Sequence, residues 1–66
     1  MHEAYVVYEG YLMSEVQKQK VEKLRGEGFT IVRDFFDNSL EMNRGCHYRR
    51  VDRDGNDKQV YNRLGL

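Results

Sequence analysis

The residue types best suited to chemistry concentrate in the last third of the chain. Cys46 and His47 are adjacent there, and residues 44–66 carry six Lys or Arg against three Asp or Glu. On a strand, neighbouring side chains point to opposite faces, so this thiol and imidazole cannot form a nucleophile–base pair. Two such side chains and a few scattered acids also fall short of a metal-ligand set. The sequence therefore predicts no catalytic residue, no metal site and no cofactor.

The basic and aromatic side chains of this segment are compatible with anion binding. Arginine and lysine contact phosphates, and a tyrosine ring can stack on a base. The chain as a whole has zero net charge, which argues against non-specific binding to nucleic acid. The candidate contacts for a nucleic acid or another anionic partner are His47, Arg49, Arg50, Arg53, Lys58 and Tyr61.

Short motifs around His47 resemble those of HicA-type toxins, which are small mRNA interferases with a dsRNA-binding-like fold. The similar residues are Leu24, Gly28-Phe29, Val32-Arg33, Gly45-Cys46-His47, Asp54-Gly55 and Val60. The resemblance implies that His47 acts as a general acid–base on RNA. The chain departs from that family in having an extra strand before the helix. A HicA-like ribonuclease is therefore an alternative interpretation, beside nucleic-acid binding without catalysis.

A β-hairpin is the element expected to position these side chains. Asp52–Gly55 has the composition of a type I turn closed by a bulge, and this register pairs Arg50 with Lys58. The face expected to pack into the core, with the thiol as a small buried hydrophobe, carries Cys46, Tyr48 and Val60. The face expected to be exposed carries His47, Arg49 and Tyr61.

The preceding residues predict one helix and two further strands. Ser14 and Gln17 form a capping box, and the helix runs to about Arg25, with Gly26 or Gly28 as its stop. Its buried arc is predicted to hold Met13, Val16, Val21 and Leu24. The strand after it spans residues 29–36. Residues 40–42 are predicted to continue past a bulge at residues 43–45 into the hairpin.

The resulting fold class is α+β, in the order β-α-β-β-β, as a small antiparallel-rich sheet with one helix packed on one face. Residues 1–66 form a single domain, because a chain of this length supports only one core. Such a domain hides only about 60% of the surface that its unfolded chain exposes, so its stability is marginal. Binding to a partner buries further surface and so adds stability.

The first strand, over residues 3–12, is apolar on both faces, which a strand with one wet face should not be. Uncovered apolar surface usually marks an interface. The predicted partner interface consists of Tyr5, Val7, Tyr11 and Phe36. We interpret the protein as a non-enzymatic interaction module that inhibits or regulates a larger protein, a type frequent among phage and mobile-element products. Homodimerisation through the first strand is a linked hypothesis.

The cellular setting is predicted from the single cysteine and from hydropathy. One cysteine cannot form an internal disulfide, and small secreted domains usually carry several. No apolar run approaches the length of a membrane span, and residues 1–13 lack the pattern of a signal peptide. The sequence therefore predicts a soluble, cytoplasmic protein with no membrane partner.

Overall fold

The computed structural model describes residues 5–35 and 37–60, which form one helix and two antiparallel sheets. The two-stranded sheet pairs β1 with β2, and the four-stranded sheet has the order β3-β4-β5-β6. The predicted α+β class, with a single helix on antiparallel strands, is confirmed. The elements are β1 Tyr5–Tyr8, β2 Tyr11–Ser14, α1 Glu15–Gly26, β3 Thr30–Asp34, β4 Leu40–Arg44, β5 His47–Val51 and β6 Asp57–Val60.

The predicted first strand and the predicted strand from residue 40 are each a two-stranded hairpin instead. The order is therefore β-β-α-β-β-β-β. Glu9 and Gly10 have φ of 54° and 87°, the pattern of a type I′ turn between β1 and β2. Gly45 has φ of 62° and, with Cys46, forms the turn between β4 and β5, where the sequence predicted a bulge in one continuous strand. Glutamate rarely adopts positive φ, which is why the first turn has no clear sequence signal.

The helix follows its prediction at both ends. The Ser14 hydroxyl accepts from the Gln17 amide at 3.1 Å, and the Gln17 side chain accepts from the Ser14 amide at 3.3 Å, which completes the capping box. After Gly26 the chain turns through Gly28 at φ 103°. Val16, predicted on the buried arc, is exposed, because Gln17 rather than Val16 faces the four-stranded sheet.

The core lies between α1 and the helix-facing side of the four-stranded sheet. Register pairs Leu40 with Val51 and Ile31 with Met42, so these side chains share that side. The fully or nearly fully buried apolar residues are Met13, Val21, Leu24, Phe29, Leu40, Met42 and Val51. The helix in the described part of the chain is too short and too polar to cross a membrane.

The predicted core face of the C-terminal hairpin is the wrong one. The pairing of Tyr48 with Val60 and of Arg50 with Lys58 is confirmed. Tyr48 and Val60, however, are only half-buried on the side away from the helix, whereas Val51 on the other side is fully buried. Cys46 is exposed because it lies in the β4–β5 turn and not on a strand.

Candidate interaction surface on the N-terminal hairpin

Three apolar side chains lie together in solvent on one face of the β1–β2 hairpin. Val7 pairs directly with Leu12, and Tyr5 lies two residues from Val7 on the same strand, so all three point the same way. Val7 is 71%, Leu12 65% and Tyr5 43% exposed. We call these three residues the outer hairpin face.

The other face of the hairpin packs on the core. Its pairs are Val6 with Met13 and Tyr8 with Tyr11, and Met13 is fully buried. The structure therefore brings Tyr5 and Val7 of the predicted interface together but places Tyr11 on the opposite, packed face.

The difference arises at the β1–β2 turn. A turn between residues 8 and 11 reverses the strand and breaks the alternation that grouped Tyr11 with Val7. Leu12, which the sequence reasoning missed, takes that place, and the sequence carries no clear signal for it because Glu9 is an unusual residue for a turn position with positive φ. Phe36, the remaining residue of the predicted interface, lies outside the described residues.

The hairpin is held against the rest of the molecule near both of its ends. At the turn end, Glu9 forms an ion pair with Arg25 in the last turn of the helix. At the other end, the Ser14 hydroxyl donates to the Arg53 carbonyl at 2.5 Å. These contacts orient the packed face inward and leave the outer hairpin face in solvent.

The basic residues of the C-terminal hairpin do not form one surface. Arg49 lies on the helix-facing side, since it pairs with Met42, and its Nη1 bonds the Asp57 carboxylate at 2.8 Å. Lys20 reaches the same carboxylate at 3.4 Å. The guanidinium of Arg49 also lies 5.9 Å from the centre of the Phe29 ring. Arg49 is thus paired with Asp57 and half-buried, not exposed beside His47 as predicted.

Arg50 is on the opposite side of the sheet and is engaged with three groups. Its Nε donates to the Ser39 hydroxyl at 2.9 Å, and its Nη2 donates to the Asp37 carboxylate at 3.1 Å. Its guanidinium lies 4.0 Å from the centre of the Phe35 ring, within range of a cation–π contact. This cation is therefore already paired within the fold.

The remaining predicted anion contacts are separated from one another. His47, Arg53 and Lys58 are exposed and form no side-chain hydrogen bond or ion pair within residues 5–35 and 37–60. Arg53 lies in the β5–β6 turn between two acidic neighbours, Asp52 and Asp54. Tyr61 lies outside the described residues. The described hairpin therefore offers scattered positive charges and no continuous basic patch.

The carboxyl group of Asp37 has a lowered pKa. The hydroxyl and amide of Ser39 donate to its carboxylate at 2.6 and 3.1 Å, and Arg50 adds a favourable charge. The Ser39 hydrogen bonds are the main cause that holds the pKa of Asp37 below its ordinary value of 3.8, with Arg50 contributing less.

A lowered pKa in the folded state makes stability depend on pH in a defined direction. Asp37 stabilises the fold above its ordinary pKa of 3.8, and that contribution disappears as the pH falls through the lower folded-state pKa. We expect Ser39→Ala to raise the titration midpoint of Asp37, measured by NMR of the side-chain carboxyl carbon. A midpoint unchanged by Ser39→Ala contradicts the assigned cause.

Comparison with known proteins finds no relative of this chain. No family model, no curated protein sequence and no solved structure matches the chain. In the resemblance to HicA-type toxins, His47 is the catalytic residue, and it is here the exposed first residue of β5. The hypotheses on function therefore depend on the surfaces of the chain itself.

Proposed function

We propose that this protein is a non-enzymatic interaction module that binds a larger protein through the outer hairpin face and inhibits or regulates it. The supporting observation is the exposure of the directly paired Val7 and Leu12, at 71% and 65%, beside Tyr5. Adjacent apolar side chains in solvent are typical of interface cores, in which tyrosine is also enriched.

The size of the face indicates what its partner must supply. Burying a Val or Leu side chain contributes about 1.5–3 kcal/mol, whereas association costs about 4–15 kcal/mol in lost freedom. Val7, Leu12 and Tyr5 can therefore form the central anchors of an interface but cannot alone make it tight. Polar contacts around them must add the remainder, as in most interfaces with a few dominant residues.

The charges favour a protein partner over a nucleic acid. Binding to a phosphate backbone needs several unpaired cations on one surface. Arg49 and Arg50 are each bonded to a carboxylate, and they lie on opposite sides of the sheet. For the setting, the single cysteine supports a reducing compartment such as the cytoplasm.

The test is capture of a partner from a lysate of the source cells, with nuclease treatment, on protein immobilised through Cys46. Cys46 is the one cysteine of the chain and is not part of the outer hairpin face. We expect Val7→Lys and Leu12→Lys each to weaken capture at least about thirty-fold, the equivalent of losing one dominant interface residue.

Val32→Lys is the matched control, because Val32 is also an exposed valine on a strand but lies on β3. It should leave capture unchanged. Equal capture by all three variants, or recovery of nucleic acid alone without nuclease, contradicts the proposal. Circular dichroism of each variant separates loss of binding from loss of fold.

A further inference from the structure

Arg44 and His47 form a cationic pair at the β4–β5 turn. They lie directly opposite each other on the two strands and flank the turn residues 45 and 46. Both are exposed, and both point to the helix-facing side, since Arg44 lies two residues from the buried Met42. We infer that this pair binds a carboxylate of the protein partner. The inference deepens the proposed function and rests on it, because it names a polar contact of the same interface.

The side chain of Arg44 is held in one position although it is exposed. Its Nη1 donates to the Glu27 carbonyl at 2.8 Å, and its guanidinium carbon lies 5.0 Å from the centre of the Phe29 ring. Its stem lies against Gly28, where an added β-carbon would be 3.0 Å from Cδ of Arg44. A side chain that is already ordered loses less conformational entropy on binding. Arg44 is therefore pre-organised for a ligand.

The charge of Arg44 is not compensated by a carboxylate within residues 5–35 and 37–60. Other arginines of these ranges each form an ion pair with an acidic side chain, namely Arg25, Arg33, Arg49 and Arg50. Arg44 instead bonds a backbone carbonyl, which carries no net charge. A guanidinium has five N–H donors in a planar fork, so donors remain for a ligand. His47, directly opposite, adds a ring N–H in either protonation state.

The number of available cations selects a carboxylate as the ligand. A nucleic acid backbone needs several cations along one surface, but Arg49, the next cation along β5, is already bonded to Asp57. One guanidinium with spare donors beside one imidazole matches a single negative charge. A carboxylate accepts two parallel hydrogen bonds from a guanidinium fork. An Asp or Glu side chain on the partner protein supplies this group.

The Arg44–His47 pair and the β1–β2 hairpin adjoin the same end of α1. Glu9, in the β1–β2 turn, forms an ion pair with Arg25 in the last turn of the helix. Arg44 bonds the carbonyl of Glu27, the residue that caps that end. A single partner can therefore contact both. The outer hairpin face supplies its apolar anchors, and the cationic pair supplies a polar contact beside them.

The test is an NMR titration of the whole chain with the peptide acetyl-tetraglutamate amide at low ionic strength. We expect the peptide to shift the Nε–H signal of Arg44 and the imidazole signals of His47. Arg44→Gln should raise the dissociation constant about fivefold, the upper range for an exposed ion pair. Arg53→Gln is the matched control, because Arg53 is also exposed and has no carboxylate partner within the described residues. It should leave the dissociation constant unchanged.

The absence of shifts at Arg44 and His47, or equal binding by the two variants, overturns the inference and leaves Arg44 as a cap on the helix end. Larger shifts with inorganic phosphate at equal concentration overturn the choice of a carboxylate. Acetyl-tetraglutamine amide, the uncharged peptide, should cause no shift.

Failure of this inference is distinguishable from failure of the proposed function. A titration that fails, with partner capture still dependent on Val7 and Leu12, leaves the function standing without the carboxylate site. A titration that succeeds, with capture indifferent to Val7 and Leu12, leaves the carboxylate site without the proposed interface.

Discussion

Replacing Gln17 by leucine is expected to lower the free energy of unfolding by about 2–4 kcal/mol. Gln17 is fully buried in the first turn of α1. Its Nε2 donates to the Asn38 carbonyl at 2.8 Å and to the Val51 carbonyl at 3.1 Å. One side chain thus joins the start of the helix to the β3–β4 turn and to the end of β5.

Leucine has nearly the same volume and a similar helix propensity, so it fills the site but donates nothing. The carbonyl oxygens of Asn38 and Val51 then each lose a donor, that of Val51 in the buried interior, and the Ser14 amide loses the acceptor that completes the capping box. A domain of this length has a total stability of about 3–10 kcal/mol, so this loss is a large share of it.

Gln19→Leu is the matched control, because Gln19 lies on the same helix two residues further on and is exposed. Urea unfolding followed by circular dichroism should show a lower midpoint for Gln17→Leu and an unchanged midpoint for Gln19→Leu. Equal midpoints for the two variants contradict the assignment of Gln17 as the link between helix and sheet.

Local signals made much of the fold predictable. The capping box of Ser14 and Gln17 and the glycine stop at Gly28 depend on backbone geometry within a few residues. The pairing of Arg50 with Lys58 follows from the turn that Asp52 and Gly55 close with a 3.0 Å hydrogen bond. In each case the deciding interaction spans only a few positions of sequence, so the local residues are enough to predict it.

The hairpin turns and the core face required information that local patterns lack. Glu9 at positive φ and Cys46 in a turn are both unusual choices for those positions. The core side of β5 depends on Val51 meeting Leu40 across the sheet, and on the helix covering that side. Such choices are settled by tertiary packing, in which both faces of a mixed strand compete for burial.

Part of the candidate site could also be predicted from local sequence, and part of it could not. Alternation along β1 was enough to group Tyr5 with Val7, and both are exposed on one face. The partners of Arg49 and Arg50 are not predictable from spacing, because Asp57 and Asp37 reach them from other elements. A cluster of arginines in a sequence is therefore weak grounds for an anion site until its internal ion pairs are known.

Gly55→Ala is expected to lower the free energy of unfolding by about 2–3 kcal/mol through backbone strain and overpacking. Gly55 has φ of 86°, and a β-carbon added to it would lie 2.5 Å from Cγ1 of Val16. That distance is far inside van der Waals contact, so either the Val16 side chain or the β5–β6 turn must shift. The same turn holds the Arg53 carbonyl that Ser14 bonds.

Gly45→Ala separates the two causes, because Gly45 has φ of 62° but open space around its β-carbon position. It should cost only the backbone term, about 1–2 kcal/mol. Truncating the exposed Val16 to alanine removes the clashing methyl group at little cost of its own. In a double-mutant cycle by urea unfolding, Val16→Ala should therefore recover part of the loss caused by Gly55→Ala. Strict additivity of the two changes would show that residue 55 and Val16 do not interact. The β5–β6 hairpin would then be positioned against the helix by other contacts.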